Sequence, residues 1–374
     1  MASNDWVPII LSGLSGKSND KILRLLGSAM LITVASAAQA EYTWINLESP
    51  PGFNEAIPNG ICGTNIVGTY RDAGNPIHGF LYNGSTWTTL DYPGAFFGTE
   101  AFGISGTNIV GFYYTDATHG FLYDGITWKT LDDPLADLSQ IYNGTYPEGV
   151  CGTNIVGQYN DFNDHLHGFL YNGSTWSTLD DPLGVTVLEG VSGTNIVGEY
   201  LETNNFQHAV LYNGNNWTTL DAPLGINGTS AYGVDATNIV GFYKDVKTQI
   251  HGFLYHGGNW ITLDYPYAGA STNIATFLAG ISGPNMVGSC FNSNSFVNGF
   301  IATPPPLLAI NVLGNRPKLF WPYNPLIGWT LQQSSDLSQT NWTTVPGPIA
   351  NDGTNNFNTF TPSSGRIYFR LTVP

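Results

Sequence analysis

The chain has 374 residues, of which 42% are hydrophobic, 13% are aromatic and only 10% are charged. Disordered chains carry dense charge and few aromatic residues, so this composition predicts a folded protein long enough for two or more cores. Eleven basic residues against 27 acidic ones give a net charge of −16, which disfavours nucleic acid or an anionic membrane as a partner.

Residues 1–40 have the pattern of a signal peptide. Lys21 and Arg24 precede an apolar run over 25–37 that is too short to span a membrane, and Ala38-Gln39-Ala40 follows it. We therefore expect cleavage before Glu41, export to the cell envelope or the exterior, and no membrane insertion of the mature chain.

Three sequence elements recur between residues 41 and 303. The first is GISGTNIVGFYY or a variant, and its six copies begin at Gly60, Gly103, Gly149, Gly190, Gly233 and Gly280. The second is HGFLY or a variant, and its copies begin at His78, His119, His167, His208, His251 and Asn298. The third is Trp-x-x-Leu-Asp, which begins at Trp87, Trp128, Trp176, Trp217 and Trp260. Such self-similarity predicts a repeat architecture.

The position of the missing sixth Trp element predicts a closed ring. WINLE, at 44–48, is that element, but it stands at the start of the mature chain, whereas the last repeat stops after Phe300. A linear solenoid would leave two unequal ends that need caps. We therefore predict an all-β fold, a six-bladed β-propeller over 41–303 in which an N-terminal strand completes the last blade.

Each repeat has room for four short strands. Asn83-Gly84 and Asp124-Gly125 are two of the pairs that join the third strand to the fourth, and such pairs favour tight hairpins. The glycine that begins each first element is expected on the innermost strand, where backbones crowd around the axis. Cys62 and Cys151 occupy a slot that is serine in three other repeats, at Ser105, Ser192 and Ser282, so we expect small buried side chains there and no disulfide.

The recurring His-Gly-Phe and Leu-Asp-x-Pro elements resemble the HAF-type extracellular repeats of secreted bacterial proteins. The resemblance covers about residues 42–303, and it implies export and a repeat fold without an established reaction. The fourth repeat departs from the pattern with His208-Ala209-Val210, and the sixth lacks the histidine.

A second domain is predicted after the Pro304-Pro305-Pro306 linker. Strand-like runs over 307–313, 318–321, 328–333, 342–345 and 366–373 indicate a small β-sandwich over 307–374. The pattern from LFWP to RIYFRL resembles C-terminal modules of large secreted bacterial proteins.

The repeated His, Trp and Asp residues are interpreted as structural. His119, Trp128 and Asp132 keep the same separations in other repeats, and a site that is used once does not need five copies. We expect each trio to satisfy its polar groups by mutual hydrogen bonds within its blade.

The variable loops after the second and fourth strands should share one face, which is the candidate binding surface. Its candidate ligand-binding residues are Tyr92, Phe96, Phe97, Asp116, Asp133, Tyr142, Tyr146, Asp161, Asp164, His165, Asp181, Glu202, Asp245, Tyr265 and Tyr267. Aromatic rings beside carboxylates suit sugars, although single aromatic residues can equally cover the ends of blades.

Few residues have the type and spacing expected of a catalytic or metal-binding site. The segment 161–167, with Asp161, Asp164, His165 and His167, is the one non-repeated cluster of metal-ligand types. His167 is already assigned to its blade trio, and the spacing matches no closed zinc or calcium-loop pattern, so no metal and no cofactor is expected. Acids occur in every repeat, so none is singled out as catalytic. We predict a monomeric, non-catalytic binding protein for a carbohydrate or protein ligand. The alternatives are a polysaccharide hydrolase or lyase with its site in the propeller funnel, and a structural envelope component.

Overall fold

The computed structural model describes residues 42–50, 54–72, 74, 76–204, 206–266, 275–292, 295–313, 316–335, 341–359 and 367–372. The segment 1–40 lies outside them. All regular elements in this part of the chain are β-strands. One compact unit spans Trp44–Thr303, and a second contains the chain from Pro304 onward. Among the described residues there is no apolar helix of membrane-spanning length.

The first unit consists of six blades, each of four antiparallel strands, and a parallel bridge between Ile77 and Gly98 joins the first two blades into one eight-stranded sheet. Their first strands are Asn54–Cys62, Gly98–Ser105, Thr145–Cys151, Val185–Ser192, Thr229–Asp235 and Ala275–Ser282. Their second strands are Asn65–Arg71, Asn108–Tyr114, Asn154–Asn160, Asn195–Leu201, Asn238–Lys244 and Asn285–Asn292. Their third strands are Ile77–Tyr82, Thr118–Tyr123, Leu166–Tyr171, Gln207–Tyr212, Ile250–His256 and Ser295–Thr303. Their fourth strands are Trp87–Leu90, Trp128–Thr130, Trp176–Thr178, Trp217–Thr219, Asn259–Leu263 and, for the sixth blade, Thr43–Leu47.

The N-terminal strand closes the ring. Thr43–Leu47 pairs with Ser295–Thr303 at the outer edge of the sixth blade. The ring of Trp44 lies 4.9 Å from that of Phe300 and 5.6 Å from that of Tyr265, both edge-on. Because aromatic pairs in this geometry add stability beyond their buried area, this contact anchors the strand. The predicted six-bladed propeller with an N-terminal closing strand is confirmed.

The first strands crowd around the axis at the repeat glycines. A Cβ atom added to Gly60 would lie 2.3 Å from the carbonyl oxygen of Phe102 in the next blade, and one added to Gly149 would lie 2.7 Å from that of Glu189. At the closure, a Cβ on Gly280 would lie 3.2 Å from Cα of Gly60. Glycine is therefore required here by the approach of neighbouring backbones.

The repeat position occupied by Cys62, Ser105 and Ser282 links neighbouring blades by hydrogen bonds. Gly106 N–H donates to Cys62 Sγ over 3.4 Å, Gly152 N–H donates to Ser105 Oγ over 3.2 Å, and Gly63 N–H donates to Ser282 Oγ over 3.0 Å. Cys62 and Cys151 are half-buried, so the expectation of buried side chains is wrong for them. Both are free thiols, as is Cys290.

In each of the first five blades the repeated histidine lies in a small polar cluster. In the second blade His119 Nδ1 lies 2.8 Å from Asp132 Oδ2, and the His119 ring stacks on Tyr113 at 5.3 Å. The hydroxyl groups of Tyr113 and Thr130 lie 3.0 Å apart. Trp128 instead packs its ring against Phe121 at 5.0 Å. The histidine and aspartate are therefore bonded as predicted, while the tryptophan contributes packing.

The second unit has two sheets around one core, as the predicted sandwich requires. The first sheet contains Ala309–Leu313, Arg316–Pro322, Asn355–Thr359 and Ala350–Asn351 in that order. The second contains Thr343–Thr344, Thr330–Ser334 and Tyr368–Thr372. Leu319 and Trp321 from the first sheet pack with Leu331 and Phe369 from the second.

We expect Gly149→Ala to destabilise the protein by about 3 kcal/mol, because the added methyl group would overlap a backbone oxygen that cannot move without shifting a blade. The control is Gly152→Ala, where φ is +61° but no atom lies within 4 Å of the new methyl group. Its expected cost is about 1 kcal/mol. Thermal unfolding measures both, and equal losses of Tm would contradict close blade packing.

Candidate functional site

Six side chains of differing chemistry surround the central axis. In each first strand one residue is unpaired in a β-bulge directly before the repeat glycine. These residues form the axial ring: Asn59, Phe102, Glu148, Glu189, Tyr232 and Ala279. A bulge re-aims the side chain of its extra residue, and all six line the central cavities. The scaffold is repeated around the axis, but the ring chemistry differs between blades.

A cavity of about 340 Å³ lies on one side of the axial ring. Phe277, Ser289 and Phe291 of the sixth blade complete its wall. Phe291 lies near the end of a second strand, so this funnel is on the side of the variable loops. The volume suits a small ligand or one unit of a longer chain.

Aromatic rings form two walls of the funnel. On one side Phe277 contacts Phe242 at 4.9 Å and Phe291 at 5.5 Å. On the other side the lining ring is Phe102, which packs against Phe112 at 5.0 Å, and Phe112 in turn contacts Tyr146 at 5.0 Å. These contacts fix the rings in place and leave apolar surfaces facing a confined space.

Two carboxyl groups lie between the aromatic walls. Glu148 is only 8% exposed, and burial raises the pKa of its carboxyl well above the usual range, with further increases from the charges of Glu189 and Glu100. Its buried Oε2 atom has no hydrogen-bond partner among the described residues. Burial, followed by the charge of Glu199, raises the pKa of Glu189 to about 8.

A third acid, Glu100, is close enough to Glu148 for its charge to affect the pKa of that carboxyl. Burial raises the pKa of Glu100, although the Tyr114 hydroxyl donates a hydrogen bond of 2.8 Å to its Oε1 atom. Tyr146 lies nearby, and its hydroxyl donates to the carbonyl of Tyr142. Burial also raises the pKa of Tyr146.

The funnel therefore presents buried carboxyl groups whose pKa values are raised, which favours their protonated form. A protonated carboxyl both donates and accepts hydrogen bonds, and a buried one without a partner gains free energy from a ligand that supplies it. A carboxyl whose pKa lies near the working pH can also act as a general acid. The arrangement can thus bind hydroxyl groups or transfer a proton.

The sequence-predicted residues divide into several groups. Tyr146 packs its ring against Phe112 at 5.0 Å, and its hydroxyl donates a hydrogen bond to the backbone carbonyl of Tyr142, whose side chain is 67% exposed. Phe96 and Phe97 are exposed by 77% and 60%, and Asp116 is also exposed. Except for Tyr146, these residues lie in loops within or next to the second blade, and their role in binding stays a prediction.

Four other predicted residues serve the scaffold. Asp133 and Asp181 are each only 4% exposed and accept hydrogen bonds from the backbone two residues ahead, so the expectation that they face a ligand is corrected. Tyr92 stacks on Tyr113 at 3.7 Å. Tyr265 stacks on Phe300 in the closing blade, and Tyr267 lies outside the described residues.

The remaining predicted residues lie in loops between second and third strands. Asp161, Asp164 and His165 share one loop of the third blade, and Glu202 from the fourth blade lines the same cleft as Asp164 and His165. Asp245 is separate from them, in the equivalent loop of the fifth blade, 3.7 Å from His251.

The axial ring, including Glu148 and Glu189, is not among the sequence-predicted site residues. A signal was present, because the residue before each repeat glycine is Asn, Phe, Glu, Glu, Tyr or Ala within an otherwise repeated block. Recognising that a bulge turns this position toward the axis required the strand register.

No family model and no curated protein matches the sequence. The HAF resemblance therefore stays a prediction. Among solved structures the chain is similar to the fucose-specific lectin from Aleuria aurantia, with 15% identity, 79% of this chain and 96% of that chain covered, and a TM-score of 0.41. A mutant of AofleA from Arthrobotrys oligospora has 13% identity, covers 87% and 94% of the two chains, and has a TM-score of 0.43.

We expect Glu189→Gln to remove part of the pH dependence of stability. The fold raises the pKa of Glu189 from 4.5 to about 8, so its contribution to stability is present below about pH 4.5 and is lost as the pH rises through 8. The variant should match the wild type near pH 5 and have the higher Tm near pH 9. Exposed Glu48→Gln is the control, and parallel Tm curves for all three proteins would contradict the assignment.

Proposed function

We propose that the protein is a non-catalytic carbohydrate-binding protein whose ligand enters the funnel from the side of the variable loops. The observation that carries this proposal is the axial ring, in which two buried carboxyl groups with raised pKa values lie beside aromatic rings around a cavity of about 340 Å³. The alternative to a carbohydrate ligand is a protein ligand. A cavity of about 340 Å³ is too small to admit a folded domain.

The chemistry of the cavity matches a neutral sugar. Sugar hydroxyl groups need both donors and acceptors, which Glu148, Glu189, Asn59 and Ser289 can supply. The C–H faces of a sugar ring are apolar and can lie against the ring of Phe277. The net charge of −16 disfavours an anionic polysaccharide.

Exposed aromatic residues on the same face extend the candidate surface. Phe96, Phe97 and Tyr142 are each at least 60% exposed, which is unusual for such large rings. They would contact further units of an oligosaccharide whose end occupies the funnel.

A glycan array probed with the mature chain, residues 41–374, tests the proposal. We expect saturable binding of a neutral glycan, with affinity falling above pH 8 as Glu189 ionises. Glu148→Ala should weaken binding by roughly tenfold to a hundredfold, the effect of losing a hydrogen bond of about 1.5–3 kcal/mol. Asp352→Ala in the second unit is the control. Binding that is absent, or unchanged in Glu148→Ala, would refute the funnel as the site.

A polysaccharide-cleaving enzyme is the second candidate, because Glu148 and Glu189 are paired acids with raised pKa values inside the funnel. One acid that donates a proton beside a second carboxylate is the arrangement of glycoside hydrolases. The same glycans should be assayed for new reducing ends and for unsaturated products. Turnover that Glu148→Gln abolishes would establish catalysis, whereas binding without turnover supports the primary proposal. If the protein shows no binding and no turnover of any glycan, a structural role in the envelope is favoured.

We also propose that the mature protein is exported, as the N-terminal segment and the HAF-like repeats suggest. The expected product in a secreting host starts at Glu41, which N-terminal sequencing of the extracellular fraction would identify. A cytoplasmic chain that retains residues 1–40 would contradict export.

A further inference from the structure

A loop of the third blade gathers three metal-ligating side chains away from the funnel. Asp161 Oδ2 lies 3.5 Å from His165 Nδ1 and 3.7 Å from His167 Nε2. One ligand atom from each of the three residues lies within 4.8 Å of the other two. The loop follows the second strand, and His167 belongs to the third strand.

The backbone of the loop presents the carboxylate. Asp161 Oδ1 accepts hydrogen bonds from the N–H groups of Asn163 and His165, at 2.8 Å and 2.9 Å. The other oxygen, Oδ2, faces the two imidazole rings and lies 3.3 Å from the Asn163 side-chain amide. The carboxylate is therefore oriented before any ion arrives.

The orientation of His167 is also fixed. Its Nδ1 atom lies 2.8 Å from Asp180 Oδ2, and its ring stacks on Tyr159 at 5.2 Å. A hydrogen bond donated by Nδ1–H to Asp180 would leave the lone pair on Nε2, which faces Asp161. Histidine ligands of metals commonly have such a carboxylate partner.

Other blades contain two of the three groups. In the fifth blade Asp245 Oδ2 lies 3.7 Å from His251 Nε2, and His251 Nδ1 lies 2.8 Å from Asp264. Asp245 Oδ1 accepts hydrogen bonds from the N–H groups of Lys247 and Gln249, as Asp161 does from its own loop. Gln249 thus stands where the third blade has His165. The third blade is distinguished by that one added imidazole.

The cluster borders open space. A cleft of about 680 Å³ lies between the third and fourth blades, lined by His165 and His167 on one side and by Leu201, Glu202 and Thr203 on the other. The His165 side chain is 70% exposed, so it can turn toward an ion without disturbing the core. Water or a ligand group could complete the coordination from the cleft.

We propose that Asp161, His165 and His167 bind a first-row transition-metal dication such as Zn²⁺. Ligands about 2.0 Å from a tetrahedral zinc ion lie about 3.3 Å apart. The distances from Asp161 to His165 and His167, 3.5 Å and 3.7 Å, are close to this value, and the exposed His165 ring can rotate to bring its nitrogen, within 4.8 Å of that of His167, closer. Two imidazoles and one carboxylate suit zinc and its neighbours, whereas Ca²⁺ takes six to eight oxygen ligands. This inference reverses the sequence-based expectation of no metal.

Isothermal titration of the untagged mature chain with ZnCl₂ tests the site. We expect the wild type to bind one ion per chain. His165→Ala should lower the affinity by more than about 100-fold, because loss of a metal ligand costs more than loss of a residue that only hydrogen-bonds a ligand. Asp180→Asn should weaken binding by about 10–100-fold, and Asp264→Asn in the fifth blade should leave it unchanged. Gln249→His should create a second, equivalent site.

The result that would overturn the proposal is the absence of saturable zinc binding, or full affinity in His165→Ala, which would place the ion elsewhere, for example at the free thiols. Saturable Ca²⁺ binding that displaces zinc would also overturn it. A single ion in Gln249→His would count against these three residues being sufficient. Because His165 is exposed, an unchanged Tm of His165→Ala in the absence of metal confirms that loss of binding is not loss of folding.

Discussion

The architecture depends on the close approach of the six innermost strands at their repeat glycines. Each glycine faces the backbone of the next blade across a gap that cannot hold a methyl group, as the 2.3 Å from a Cβ atom placed on Gly60 to the Phe102 carbonyl oxygen illustrates. The β-bulge directly before that glycine breaks the strand register and turns one side chain to the axis. Tight backbone packing and a variable axial ring are therefore two results of one local geometry.

Much of the fold followed from counting repeats. The Trp element at 44–48 could be placed only in a ring, and its pairing with the sixth blade is what the structure contains. In the second unit, the strands Ala350–Asn351 and Asn355–Thr359 were not predicted, because asparagine-rich segments have low strand propensity. Their pairing is stabilised by the neighbouring strand Arg316–Pro322 and the core beneath it.

The site was less accessible from sequence than the fold. Residue type and loop position could not distinguish exposed Asp116 from buried Asp133, because burial depends on how each loop returns onto its blade. Glu148 was overlooked because it lies inside a repeated block that otherwise has a structural explanation. Its importance comes from burial and from the neighbouring charges of Glu189 and Glu100, which belong to other blades. Such proximity is a property of the ring and is not encoded in any single repeat.

The closing strand also imposes an order on biosynthesis. Thr43–Leu47 leaves the ribosome before every other part of the propeller, yet its partner, Ser295–Thr303, is made last. Until then both ends of the nascent array carry unpaired edges, which are templates for association with other chains. A polypeptide interrupted before Thr303 would keep those edges permanently, so incomplete translation products of this protein should be far more prone to aggregate than the finished molecule.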